Sequence, residues 1–223
     1  MIRLRNFIPL CLPLLVLSAS AGAEIIRFEA RLTHDQEVIN PPIPDEGSSG
    51  FAVFFLNDAQ TRLTYDVTLQ GLDLGLVKPD APNKGLTPVG VGDTADPNDD
   101  VLRGHIHRAI VGLNGGIVFG FIDGSVNLLN DQNDLTVDKA TLHITGAWDL
   151  NEGNPNGISP GVQSNLGTEL ANLLAGGLYI NFHTSDHAGG EIRGQILRVP
   201  EPASLALLGL GLVGLAISRR KMR

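Results

Sequence analysis

The stretch Ile26-Arg27-Phe28-Glu29-Ala30-Arg31-Leu32 alternates apolar and charged side chains, and this alternation decides the fold class. The same period of two returns over Leu63-Thr64-Tyr65-Asp66-Val67-Thr68-Leu69. Successive side chains of a strand point to opposite faces of a sheet, so each stretch predicts a half-buried β-strand. Between them, residues 51–56 are apolar on both faces, as in a central strand, and residues 57–60 predict a hairpin turn.

Further strands are predicted towards the C-terminus, separated by segments rich in Gly, Asn and Asp. They fall at 101–107, 116–122, one or two within 135–148, 178–183 and 191–199. One short helix is predicted near 164–175, with Ser164 as its N-cap, leucines on one face and Gly176 at its end. Many short strands joined by turns predict an all-β protein, an antiparallel Greek-key β-sandwich of immunoglobulin-like or Cu/Zn superoxide dismutase-like type.

The N-terminus has the order of regions found in a secretory signal peptide. Arg3 and Arg5 precede an apolar run that is shorter than the roughly 20 residues of a membrane span. Small residues follow, and Ala21 and Ala23 fit the small-x-small pattern that signal peptidase cleaves. We therefore expect residues 1–23 to be removed, so that the mature chain begins at Glu24.

The C-terminal segment 199–223 combines a proline-rich break, a short apolar helix and a basic end. By residues alone it is a short stop-transfer helix or tail anchor, with its basic end in the cytoplasm. It also resembles the PEP-CTERM tail, which implies recognition and removal by an exosortase after transient anchoring in the inner membrane. The protein would then reach the cell surface or the exterior. The resemblance rests on Pro200, Glu201 and Pro202, the apolar run over 203–217, and the terminal Arg219 and Arg220.

Composition limits the partners of the segment between the two ends. Of the 24 acidic and 16 basic side chains in the chain, 23 and ten lie in residues 24–198, which gives this segment a net charge of −13. So acidic a surface repels nucleic acid, and we exclude DNA and RNA as partners. The only cysteine, Cys11, lies in the apolar run of the predicted signal peptide, so the mature domain is expected to have no disulfide.

Four stretches of residues 24–198 resemble the CHRD (chordin-like) domain, in the order that the family has them. The resemblance implies a β-sandwich and no established enzymatic activity. It favours a non-catalytic binding or structural protein, with exopolysaccharide or surface proteins as possible partners. The stretches are 28–32 with 36–38 and the prolines at 41 and 42; 63–69 with 71–72; 105–107 with 112–115; and 179–184 with 190–196.

Three histidines form the candidate site. His105 and His107 are two residues apart on a predicted strand and so share a face, where two imidazoles can bind one metal ion. His183, on the face opposite Ile180 and Phe182, would join them if its strand is a neighbour. Copper or zinc would be the metal, giving a metal-binding or redox domain, and Asp186 with His187 could add a ligand. The alternative is structural: such histidines can instead hydrogen-bond turn backbone and hold loops in place.

No catalytic set is recognisable in the sequence. It has no serine nucleophile elbow, no phosphate-binding loop and no Cys–His pair. We therefore predict that the protein is not an enzyme.

Overall fold

The computed structural model describes residues 25–44, 46–74, 100–123, 134–153, 164–200, 209 and 211–212. The predicted signal peptide with its cleavage residues, and most of the tail from Glu201 onwards, lie outside these ranges, so both stay predictions. In the described ranges, no helix combines the length and hydropathy that a membrane span needs.

In the described residues of the domain there are ten strands, one α-helix and one short 3₁₀ helix. The strands are β1 (Ile26–Leu32), β2 (Ser49–Leu56), β3 (Arg62–Gln70), β4 (Val101–Arg108), β5 (Gly116–Asp123), β6 (Thr136–Asp138), β7 (His143–Asp149), β8 (Leu178–Thr184), β9 (Ile192–Gln195) and β10 (Leu197–Arg198); the α-helix is α1 (Leu166–Leu174), and the 3₁₀ helix covers His34–Gln36.

The strands form two antiparallel sheets. One has six strands in the order β10-β1-β2-β3-β7-β6, and the other has four in the order β5-β4-β8-β9. The two alternating stretches that open the sequence become β1 and β3, on either side of β2. The prediction of an all-β sandwich with one short helix is confirmed.

The core lies between the sheets and draws side chains from both of them. Phe28 and Phe54 from the six-stranded sheet and Ile106 and Phe182 from the four-stranded sheet are fully buried in one cluster. Phe119 stacks on Trp148 of the opposite sheet, with ring centroids 4.9 Å apart. Because every second residue of β1, β2 and β3 enters this core, the alternation of the sequence fixes which face of each strand turns inward.

The helix is shorter than predicted, and its predicted N-cap is wrong. Asn165 caps α1: its side-chain oxygen accepts from the Thr168 backbone N–H at 2.9 Å, and the Thr168 hydroxyl accepts from the Asn165 N–H at 3.0 Å. Ser164 instead donates its hydroxyl to the buried carboxylate of Glu169 at 2.7 Å. The end is as predicted, because Gly176 has a φ of +70°, which glycine adopts without a side-chain clash.

The strand predicted over 191–199 is two strands on different sheets. β9 pairs with β8 in the four-stranded sheet, whereas β10 pairs with β1 in the six-stranded sheet. Between them lies Ile196, fully buried, whose backbone N–H donates to the Leu178 carbonyl at 2.9 Å. The chain changes sheet at this residue, because its side chain enters the core between the two sheets.

Candidate metal centre

The outer face of the four-stranded sheet is polar and yet buried. On β8, Leu178, Ile180 and Phe182 enter the core, so the alternate side chains point to the other face of the sheet. Buried polar groups are costly unless they are satisfied, so a layer of them calls for a functional or structural explanation. The layer, called the polar face below, consists of His105, His107, Tyr179, Asn181, His183, Arg193 and Gln195, each 9 % exposed or less.

Three backbone segments cover the polar face. The segment that follows β1 bridges to β9 through Thr33 and Arg193, whose backbone groups exchange hydrogen bonds of 3.0 and 3.1 Å. The turn between β4 and β5 is tied to that segment, because Asn114 donates to the Val38 carbonyl at 2.8 Å. The turn that follows β8 forms the third cover and contacts His183. These loops bury side chains on a sheet face that would otherwise be exposed.

The structure brings His105, His107 and His183 together, as the sequence predicts. β4 and β8 are neighbours, with Arg103 opposite His183 and His105 opposite Asn181. Two register shifts between β4 and β5 lie beside His105 and His107, and such bulges re-aim side chains next to functional sites. One nitrogen of each imidazole lies within 4.8 Å of the other two.

Hydrogen bonds at the back of two rings decide which nitrogens face the cluster. His107 Nδ1 lies 2.9 Å from the Gly115 carbonyl, and His183 Nδ1 lies 3.0 Å from the Ala188 carbonyl. A carbonyl oxygen only accepts, so each Nδ1 carries a proton, and in a neutral ring the Nε2 then carries the lone pair. This is the arrangement that orients metal-binding imidazoles in proteins.

The imidazole of His107 is held neutral. Burial lowers its pKa to about 3, and the nearby His105, His183 and Arg193 add to the lowering, although the bond to Gly115 opposes it. Its Nε2 has no hydrogen-bond partner among the described residues. A buried, neutral imidazole with an unused lone pair is the form that binds a metal ion.

These residues fit a zinc or copper ion. Three imidazoles with no thiolate form a donor set that both metals accept, and His₃ sites of this kind occur in zinc enzymes. Nitrogens bound to one tetrahedral zinc lie about 3.4 Å apart, given bonds of about 2.1 Å. Because the three nitrogens lie within 4.8 Å of one another, each pair would have to approach by about 1.4 Å at most to hold the ion.

A stacked column connects the histidines to β9. The His107 and Tyr179 rings stack with centroids 4.8 Å apart and an angle of 7° between planes. The Arg193 guanidinium lies 3.5 Å from the Tyr179 ring centroid on the neighbouring strand. Burial lowers the pKa of Arg193, while Tyr179 and Glu37 oppose that shift. Sequence analysis did not identify this column, because the pattern of β9 does not show what covers Arg193 on the face away from the core.

Glu37 reaches the polar face from the covering segment. Its carboxylate accepts from Asn181 Nδ2 at 3.3 Å. Burial raises the pKa of Glu37 to about 7, although the bond to Asn181 and the charge of Arg193 act in the opposite direction. The carboxylate passes close to Gly190, where a Cβ would lie 2.5 Å from Oε1, and the φ of +126° at Gly190 is one that other residues rarely adopt. No periodic pattern marks Glu37 in the sequence.

The raised pKa of Glu37 predicts a pH-dependent stability of the metal-free domain. Folded Glu37 keeps its proton up to about pH 7, whereas an unfolded glutamate releases it near 4.5. Between these values the folded state binds more protons, so the free energy of unfolding falls as pH rises. We expect Glu37→Gln to be more stable than wild type by about 2 kcal/mol at pH 8 and by much less at pH 4.5.

Urea unfolding in EDTA at both pH values measures this difference. An equal gap between variant and wild type at pH 4.5 and pH 8 would show that Glu37 titrates as an ordinary glutamate.

A second group of possible ligands lies at the surface. Glu46, Asp186 and His187 have ligand atoms within 4.8 Å of one another, and His187 Nε2 lies 3.4 Å from the Glu46 carboxylate. Asp186 and His187 therefore group with Glu46 and do not join the three buried histidines as a fourth ligand. The turn that contains them contacts the buried cluster through the Ala188 carbonyl, which accepts a hydrogen bond from His183 Nδ1.

Comparison with known protein families agrees with the architecture. The family model described as CHRD domain matches residues 28–196, which include the whole polar face. The model described as PEP-CTERM protein-sorting motif matches residues 198–221. No curated protein and no solved structure matches the chain.

Proposed function

We propose that this chain, which belongs to the CHRD domain family and carries a PEP-CTERM sorting motif, is a non-catalytic binding protein of the cell surface. Its binding centre is a single zinc or copper ion held by His105, His107 and His183. The observation that carries this proposal is the buried cluster itself: three imidazole nitrogens lie within 4.8 Å of one another beneath the loops that cover the polar face.

The sorting motif indicates where the protein is located. It implies an exported protein that an exosortase recognises and directs towards the cell surface. For the route to the surface, we propose cleavage by signal peptidase after Ala23, transient anchoring in the inner membrane, and removal of the tail at Pro200-Glu201-Pro202. The mature domain of residues 24–198 would then meet exopolysaccharide or other surface proteins outside the cell.

CHRD is not a known enzyme family, which agrees with the absence of a catalytic motif in the sequence. A structural role for the histidines is compatible with their Nδ1 bonds to Gly115 and Ala188. Metal binding explains a feature that those hydrogen bonds do not: the His107 Nε2 is buried and has no hydrogen-bond partner in the described part of the chain. A purely structural histidine would not need that nitrogen to face two further imidazoles.

Thermal unfolding with added metal tests the proposal. The full-length chain, purified without chelator or histidine tag and then stripped with EDTA, should melt at a higher temperature when zinc is present. At a free concentration 100 times its dissociation constant, zinc adds about 2.7 kcal/mol to the free energy of unfolding. We expect this shift for zinc and for copper, and none for magnesium, which prefers oxygen ligands.

His143→Ala is the matched control, since His143 lies on the six-stranded sheet and pairs with Asp66 at 2.7 Å. Its zinc-induced shift should equal that of wild type. A wild-type chain whose melting temperature is the same with zinc, copper or neither would refute the proposed function.

A further inference from the structure

We infer that the metal centre keeps one coordination position open to solvent, and that Asn181 positions the water bound there. This inference rests on the proposed function and extends it, because a closed centre serves stability alone, whereas an open one exchanges ligands. Asn181 belongs to neither the sequence-predicted ligand set nor the cover of the polar face.

Asn181 is a neighbour of two cluster histidines, one along its own strand and one on the adjacent strand. It is two residues before His183 on β8, so both side chains point to the same face of the sheet. Across the ladder its Cα pairs with that of His105 on β4. The residue is 3 % exposed, so its amide must find partners within the protein or in bound solvent.

The orientation of this amide follows from one hydrogen bond. Nδ2 donates to the Glu37 carboxylate at 3.3 Å, and a carboxylate accepts from N–H, so Oδ1 must point the other way. Oδ1 is buried and accepts no hydrogen bond from the residues that the structure describes. A buried oxygen of this kind needs a donor, and no described side chain supplies one.

A metal-bound water supplies that donor. Three protein nitrogens leave one position of a tetrahedral centre vacant, and a water there has two protons to donate. Among the described residues, no carboxylate or thiolate joins the three histidines to occupy the position instead. One water would then satisfy both the ion and Asn181 Oδ1.

We take a cleft at the β9 edge of the polar face as the route by which solvent reaches this position. This cleft of about 500 Å³ opens between the segment that follows β1 and the turn between β4 and β5, with Glu37, Val38, Val111 and Arg193 among its lining residues. Glu37 is one hydrogen bond away from Asn181. The covering loops therefore leave a cleft at the β9 edge of the polar face.

The inference predicts which small ligands the centre prefers. A ligand that donates a hydrogen bond satisfies Asn181 Oδ1, whereas azide has no hydrogen and leaves that oxygen buried and unsatisfied. Asn181 should therefore favour water over azide. Replacing Asn181 with leucine removes the penalty, and we expect azide to bind the metal about tenfold more tightly in Asn181→Leu than in wild type.

Titration of azide into the cobalt-loaded full-length chain, followed by visible absorption, tests this inference. Wild type should bind one cobalt ion, and azide should change its spectrum in a saturable way. Asn181→Leu should keep one cobalt ion and reach half-saturation at about one-tenth of the azide concentration. Asn151→Leu makes the same chemical change at an exposed turn after β7 and should match wild type.

Each result decides between defined outcomes. A wild-type cobalt spectrum that azide leaves unchanged would mean that a protein atom, such as Asn181 Oδ1 itself, closes the centre, and the inference fails while the proposed function stands. Equal azide affinities in wild type and Asn181→Leu would remove the role of Asn181. If Asn181→Leu does not fold, Asn181→Ala replaces it, and the wild-type titration still decides whether the position is open. If wild type binds no cobalt, zinc or copper, the proposed function and this inference fail together.

Discussion

Replacing His105 and His107 together with alanine is expected to lower bound zinc or copper from about one ion per chain to less than about a tenth of an ion. The change removes two of three ligand nitrogens, and one remaining imidazole does not hold zinc or copper through purification. The loss follows from the convergence of the three rings, whose centroids lie 5.5 to 6.3 Å apart. Elemental analysis of the purified full-length chains measures it.

The same double variant also separates metal binding from a structural role. It deletes the bond from His107 to the Gly115 carbonyl, so the metal-free variant should itself be less stable than metal-free wild type. His143→Ala should keep the full metal content, since that histidine lies on the other sheet. A lowered melting temperature in the double variant, with no metal in any of the three proteins, would assign the histidines to loop anchoring alone.

Arg193→Met is expected to destabilise the domain by about 2–4 kcal/mol. The guanidinium is 1 % exposed and donates to three oxygens of the β4–β5 turn: Asn114 Oδ1 at 3.2 Å, the Leu113 carbonyl at 2.8 Å and the Ile110 carbonyl at 3.5 Å. Methionine keeps much of the volume and none of the donors. Urea unfolding measures the loss, and hydrogen exchange should show faster opening of this turn.

Two further variants make the Arg193 prediction specific. Arg193→Lys keeps the charge but not the planar fork of donors or the stack on Tyr179, so most of the destabilisation should remain. Arg31→Met, on the exposed face of β1, should change stability by less than about 0.5 kcal/mol. If Arg193→Met is as stable as wild type, the guanidinium does not hold the cover of the polar face.

Local patterns were sufficient to predict strands and the shared face of two of the three clustered histidines. Alternation placed β1 and β3, and its period of two put His105 and His107 on one face. The inclusion of His183 depended on a pairing between two strands that are far apart in the chain. β4 and β8 do pair, but nothing in either strand's own pattern specifies the other as its neighbour.

Sequence patterns failed where tertiary contacts override local preference. Alternation does not show whether the face away from the core is covered: Asn181 and Arg193 lie on that face, and loops from three parts of the chain cover it. Glu37 lies in an aperiodic segment, so only the packed structure shows that it reaches Asn181. The break at Ile196 was missed for a related reason, since a run of strand-forming residues does not show which sheet each part joins.

The most direct test of a single metal centre is anomalous diffraction at the zinc absorption edge from crystals of the zinc-loaded chain. The account predicts one strong peak, about 2.1 Å from a nitrogen of each of His105, His107 and His183. No peak at this cluster, or a peak only at the surface group of Glu46, Asp186 and His187, would contradict it.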